Sequence, residues 1–198
     1  MTAEMTAPRG AKRAGRLERA DAALGAAAAQ YRNTRLVGGF GRLAEIADQP
    51  PLIAIGAVTA VVGAALRKPR LLRTGLRMLA SEIVATGAKA LVKHHVARKR
   101  PGKMLADGRY SRQRDRNGDK DRGPWNSFPS GHTAGAFAVG RALAREYPAA
   151  TPVVGGAVAL IALAQPLTGA HFPSDVAAGA AIGLASEAVV NGVVKALT

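Results

Sequence analysis

Five mainly apolar stretches divide the chain, at residues 51–66, 76–92, 133–143, 153–167 and 176–194. Each is closed by charged or helix-breaking residues. The first opens with proline, which suits a helix start because its missing N–H would have no partner there, and it stops at Arg67-Lys68-Pro69. The second carries Glu82 and Lys89 and must turn one side toward protein. The pattern predicts an all-α bundle of about five or six helices. None of the stretches supplies the roughly 20 unbroken apolar residues of a usual membrane span. Short helices that cover one another's faces relax that requirement.

The remainder is polar. Residues 1–48 read as a basic arm, with Arg9, Lys12, Arg13, Arg16 and Arg19 ahead of an alanine-rich run at 22–29. That run is too short and too weakly hydrophobic for a cleaved signal peptide. Residues 16–32 are expected to form an amphipathic interfacial helix, and those up to about residue 15 a disordered tail. Residues 49–198 then form one helical domain, interrupted by a charged, solvated loop at about 99–126. Within it, Asp115, Asn117, Asp119 and Asp121 have the spacing of a calcium loop. However, Lys120 stands at the turn position that needs glycine and Asn126 at that of the bidentate glutamate, so calcium is not expected.

Composition narrows the partners. The chain has 198 residues, is 48% hydrophobic but only 4% aromatic, and has a mean hydropathy of +0.04. Alanine and glycine dilute the apolar signal while letting helix backbones approach closely. With no cysteine, disulfides and thiolate metal sites are excluded. A net charge of +15 favours an anionic partner: acidic lipid headgroups, a phosphorylated substrate or nucleic acid.

The chemistry is concentrated in three places. Lys93 and Arg100-Pro101 are separated by six residues, and one helix running through both would place them on one face, about two turns apart. Lysine acts as a point charge and arginine grips two oxygens at once. Pro129-Ser130-Gly131-His132 opens the third apolar stretch, with glycine permitting close approach to an anion and serine adding a donor. His171 and Asp175 are separated by three residues, a spacing at which a carboxylate can hold one ring nitrogen and leave the other nucleophilic. A repeat links the last two elements. Phe128-Pro129-Ser130 and Phe172-Pro173-Ser174 both read as a turn ending in a serine N-cap, with two helix N-termini opening on the same side. His94 and His95 read as interfacial residues, since Arg98 and Lys99 stand where further ligands would be needed.

In order and spacing these elements resemble the type 2 phosphatidic acid phosphatase superfamily, whose pattern is K-x6-R-P, P-S-G-H and S-R-x5-H-x3-D. The resemblance spans Lys93 to Asp175, with Ala164-Gln165 where the pattern has Ser-Arg. It implies a multi-pass transmembrane bundle in the cell membrane that hydrolyses a lipid phosphate or polyprenyl (di)phosphate. It further implies that His171 attacks phosphorus, Asp175 orients it and His132 protonates the leaving group. Lys93, Arg100, Ser130 and Gly131 would hold the oxygens, without a metal or other cofactor. Gln165 falls on the phosphate grip, offering neutral hydrogen bonds in place of a charged fork. Either Arg98 or a loop arginine substitutes, or the substrate is held differently. The alternatives are a non-catalytic family member, or a basic helical protein coating anionic lipid or nucleic acid, the last disfavoured because it leaves the ordered His and Asp elements unexplained. A soluble haloperoxidase with a related site ranks last. Counted over five spans, Lys and Arg put the site on the cytoplasmic side, whereas the resemblance implies the opposite face.

Overall fold

The computed structural model describes residues 15–96, 98–108 and 126–197. Among these residues eight α-helices follow in order: α1 (Arg16–Ala29), α2 (Arg35–Ala44), α3 (Gln49–Ala65), α4 (Pro69–His95), α5 (Pro101–Asp107), α6 (Gly131–Glu146), α7 (Thr151–Leu167) and α8 (Pro173–Leu197). Short 3-10 turns at Glu45–Ala47 and Pro148–Ala150 precede α3 and α7. The five apolar stretches became α3, α4, α6, α7 and α8. The count exceeds the expected five or six because α1 and α2 come from the basic arm and α5 from the charged loop, outside the five apolar stretches.

The protein is an all-α, multi-pass transmembrane bundle. Among the described residues, two helical segments, Pro148–Leu167 and Pro173–Leu197, are long and apolar enough to cross a membrane. A third candidate is the pair Arg35–Ala47 and Gln49–Ala65, bent by 53°. At 27 residues α4 is the longest helix, but its charged residues, including Arg70, Arg73, Arg77, Glu82 and Lys89, keep it from reading as a lipid-facing span.

α4, α6 and α8 pack on one another, α3 lies along α4, and α7 bridges α6 and α2. Glycine makes these contacts close. An ideal Cβ on Gly75 would lie 2.2 Å from the backbone nitrogen of Ala60, and one on Gly183 would lie 2.3 Å from the carbonyl oxygen of Ala134. Backbones that touch in this way gain dispersion contacts, which drive helix association where lipid removes the hydrophobic incentive. Opposite the site, buried carboxylates tie the same helices together. Glu146 of α6 meets Arg73 and Arg77 of α4 at 2.8 and 2.9 Å, and Glu187 of α8 meets Arg145 of α6.

The basic arm and the charged loop both contribute ordered structure. α1 packs on α5, α7 and α8, and α2 packs on α7. The tail before residue 15 and the calcium-like residues 115–121 lie outside the described residues. The beginning of the supposed loop is helical because Pro101 starts a turn and Met104, fully buried, packs with Ala22 and Phe172.

Gly179 brings α8 against the turn that opens α6. Its ideal Cβ would lie 2.5 Å from the Ser130 carbonyl oxygen, whereas one on Gly192 meets nothing within 4 Å. Gly179→Ala should therefore destabilise the bundle by about 1–3 kcal/mol through overpacking. Gly192→Ala should be neutral or slightly stabilising. Thermal melts of both variants in detergent check this, and equal melting temperatures would refute the packing account.

Candidate active site

Two helix starts and one helix end converge at the site. At the start of α6, Ser130 is the N-cap, and its Oγ accepts the Thr133 N–H at 3.3 Å and lies 2.9 Å from Thr133 Oγ1. The second half of the repeat is built differently. α8 begins at Pro173, so Ser174 sits inside the first turn, not at the cap. Proline's fixed φ is already helical, which draws the start forward. Asp175 does the capping, its Oδ2 accepting the Phe172 N–H at 2.8 Å. Its carbonyl accepts the Ser130 N–H at 3.0 Å, which pins the two starts side by side.

α7 ends in a Schellman turn. Gly169 has φ +74, a left-handed conformation that glycine adopts without Cβ strain. Gly169 and Ala170 donate to the carbonyls of Pro166 and Gln165 at 3.1 Å each. The chain then reverses to present His171, whose N–H also reaches Gln165 O at 3.2 Å.

His171 is 3% exposed. Its Nδ1 lies 2.6 Å from the carbonyl oxygen of Ser127, so this nitrogen carries the proton and donates. The lone pair is left on Nε2. Asp175 Oδ2 is 3.8 Å from Nδ1, beyond hydrogen-bond range. The expected carboxylate–imidazole bond is thus replaced by a bond to a backbone carbonyl, because Asp175 is already committed to Phe172 N–H and to Arg98. Burial pushes the His171 pKa below the ordinary imidazole value, and Asp175 pulls the other way.

Arg98 organises these parts. Its Nη1 donates to Asp175 Oδ1 and Ser174 Oγ, both at 2.7 Å, and its Nη2 reaches Asp21 of α1. Its guanidinium carbon lies 3.9 Å from the centroid of the Phe172 ring. Its carbonyl accepts the Ser127 N–H at 3.0 Å, placing the carbonyl that holds His171. Asp21 also accepts from Ser174 N–H at 2.8 Å. Both terminal nitrogens of Arg98 are therefore committed to Asp175, Ser174 and Asp21, which argues against its expected part as the substitute phosphate ligand.

A cavity of about 310 Å³ lies beside His171, lined also by Arg100, Lys103, His132, Gln165 and Glu45. Arg100 caps α5, and its Nε is buried without a hydrogen-bond partner among the described residues. Burial draws its pKa down from the usual arginine value, against Asp175 and Glu45. An underused buried guanidinium is a docking point for an anion. His132 Nε2 is 3.9 Å from Glu45 Oε2. Gln165, 4% exposed, donates from Nε2 to Ile161 O at 3.2 Å.

His171, His132, Arg100 and Gln165 thus share one cavity. Lys93, Ser130 and Gly131 do not line it. α4 ends at His95, so no single helix runs through Lys93 and Arg100. The residue before a proline avoids helical dihedrals, and Arg100 has φ −68 and ψ 147. Lys93 lies in the last turn of α4, while Ser130 is fully buried and occupied as a cap. Lys103, Glu45, Asp21 and Ser127 escaped sequence reasoning, since nothing in their spacing links them to the histidines. Among the described residues, no three His, Cys, Asp or Glu side chains converge as a metal site would require.

Arg98→Ala and Arg100→Ala should behave oppositely. Removing Arg98 strands the buried Asp175 charge, an effect of about 3–5 kcal/mol. Removing Arg100 should leave the melting temperature nearly unchanged while weakening binding of inorganic phosphate or vanadate. Thermal melts with and without the anion check both, and a stable Arg98→Ala variant would overturn its organising role.

The sequence profile of the PAP2 superfamily matches residues 73–198. No curated protein gives a significant match to the chain. Solved structures share the fold, among them two crystal structures. One is the crystal structure of Aquifex aeolicus LpxE, 22% identical with a TM-score of 0.62, covering 84% of this chain and 93% of that one. The other is that of the first transmembrane PAP2 type phosphatidylglycerolphosphate phosphatase from Bacillus subtilis, 20% identical with a TM-score of 0.66, covering 95% of this chain and 90% of that one. With the profile spanning both histidines, Asp175 and the helices that carry them, the chain belongs to the PAP2 superfamily.

Proposed function

We propose that this protein is a metal-independent phosphatase of the cell membrane that hydrolyses a lipid phosphate or polyprenyl (di)phosphate through a phosphohistidine. The observation that carries this reading is the single cavity in which Arg100, with its unpartnered Nε, faces both His171 and His132. Arg100 neutralises phosphoryl oxygens. His171 Nε2 forms the N–P bond as the P–O bond to the lipid breaks, and His132 gives the departing oxygen a proton. Water then attacks phosphorus, His132 takes its proton, and the N–P bond breaks to free phosphate and neutral His171. Asp175 acts as a positioning residue, through Arg98 and the first turn of α8.

An apolar groove supports a lipid as the substrate. Between α2 and α7, Phe40, Leu43, Ile46, Leu160 and Ile161 line a groove of about 450 Å³. Ala44 borders both this groove and the catalytic cavity. A headgroup in the cavity could keep its chain in the groove. One of the structural neighbours named above, a phosphatidylglycerolphosphate phosphatase, supports this class of substrate.

Purified protein assayed across lipid phosphates and diphosphates should release phosphate in excess chelator, and His171→Ala should abolish release. Phosphorus-labelled substrate should leave an acid-labile, base-stable label on the wild type only. Full activity of His171→Ala, or loss of activity on chelation, would overturn the mechanism.

The pH dependence follows from His171, which attacks only when neutral. Because burial lowers its pKa, the neutral form persists below the ordinary value of about 6.5. The acid limb of kcat/KM, corrected for the substrate's own ionisation, should lie below that pH. A limb above it would contradict a buried, neutral nucleophile.

A further inference from the structure

The fixed charges on the cavity wall do not suffice without a residue outside the motif. A phosphate monoester carries up to two negative charges, and the five-coordinate transition state spreads them over the equatorial oxygens. Arg100 supplies one positive charge, Glu45 on the same wall cancels it, and Gln165 adds only neutral donors. Arg98 is spent on Asp21, Ser174 and Asp175. Lys93 and Lys99 do not line the cavity. Apart from His132, whose proton goes to the leaving oxygen, the described cation left on the wall is Lys103.

We propose that Lys103 is a phosphate ligand, the second cation that grips the transferring phosphoryl group opposite Gln165. This rests on the phosphatase reading above. Three contacts set its position. The Met104 N–H bonds to Arg100 O at 2.9 Å, so the helical turn begins at Arg100 and places Lys103, three residues on, over the same face. The Gly102 N–H bonds to Gly169 O at 2.8 Å, which clamps α5 against the turn that carries His171. Met104, buried with Ala22 and Phe172, fixes the opposite side of α5.

Lys103 currently pairs with Asp107 at 3.1 Å, on side chains 42% and 32% exposed. Such an exposed pair one turn apart is weak and screened, so an entering dianion displaces it readily. Asp107 retains Lys99 as its partner. A flexible lysine held in reserve by a surface carboxylate also suits headgroups of different size, since its point charge imposes no fork geometry.

The test compares wild type, Lys103→Met, Lys103→Arg, Asp107→Asn, Gln165→Arg and the double variant Lys103→Met/Gln165→Arg. Each is purified in detergent and assayed for vanadate inhibition and for hydrolysis of a lipid phosphate. Lys103→Met should weaken vanadate about 10- to 100-fold, the size of one lost charge-assisted contact. Lys103→Arg should retain affinity, and Asp107→Asn should raise it. Gln165→Arg should restore affinity in the Lys103→Met background by more than it adds to the wild type, because the two cations would serve the same oxygens. Wild-type affinity in Lys103→Met, or an equal gain from Gln165→Arg in both backgrounds, would overturn the assignment while leaving the phosphatase intact. A wild type that neither hydrolyses lipid phosphates nor binds vanadate would overturn both, and the His171→Ala control identifies that case.

Discussion

The buried guanidinium of Arg98 is the interaction on which the site depends. One side chain, 6% exposed, reaches α1 through Asp21 and the first turn of α8 through Ser174 and Asp175, and it stacks on Phe172. Its backbone positions Ser127, whose carbonyl fixes the His171 tautomer. A buried ion pair is often no more stabilising than a hydrophobic replacement of the same shape, because both charges lose water. Here the pair specifies geometry. Planar donors with fixed directions select one arrangement of three chain segments that are distant in sequence.

The family resemblance assigns Asp175 to the histidine, and the structure gives it a broader task. Its two oxygens are shared between a helix cap and Arg98, and its carbonyl binds the Ser130 turn. One residue thereby couples the start of α8 to the start of α6 and, through Arg98, to α1. His171 rests on a backbone carbonyl instead, an acceptor that cannot be titrated away. A lone pair on Nε2 is consequently an outcome of folding and not of carboxylate ionisation.

Small residues make the crowding at this end of the bundle feasible. Gly179 lets α8 press on the Ser130 carbonyl, Gly25 receives the Phe172 ring, and Gly102 meets Gly169 backbone to backbone. The same economy of side chains accounts for the weak membrane signal. Alanine and glycine lower mean hydropathy while permitting close helix packing, so a membrane bundle registers near neutral.

The five core helices were legible because their apolar runs are bounded by proline and charge, which act locally. His171, His132, Arg100 and Gln165 were legible because the motif spacing survives in the chain, and all four line one cavity. What local signals could not convey was the partner of each group. Asp21 lies 77 residues from Arg98, and Ser127 lies 44 from His171. Burial of Met104 turned a charged stretch into α5 and brought Lys103 to the wall, while the rule against helix before Pro101 separated Lys93 from Arg100. The sequence by itself determined the five core helices and the order of the candidate residues along the chain, since propensity, periodicity and motif spacing are properties of neighbours along the chain. Only the tertiary structure decided what holds His171, what occupies Arg98 and which cations face the cavity, because hydrogen-bond geometry and burial arise from packing between segments that the sequence keeps apart.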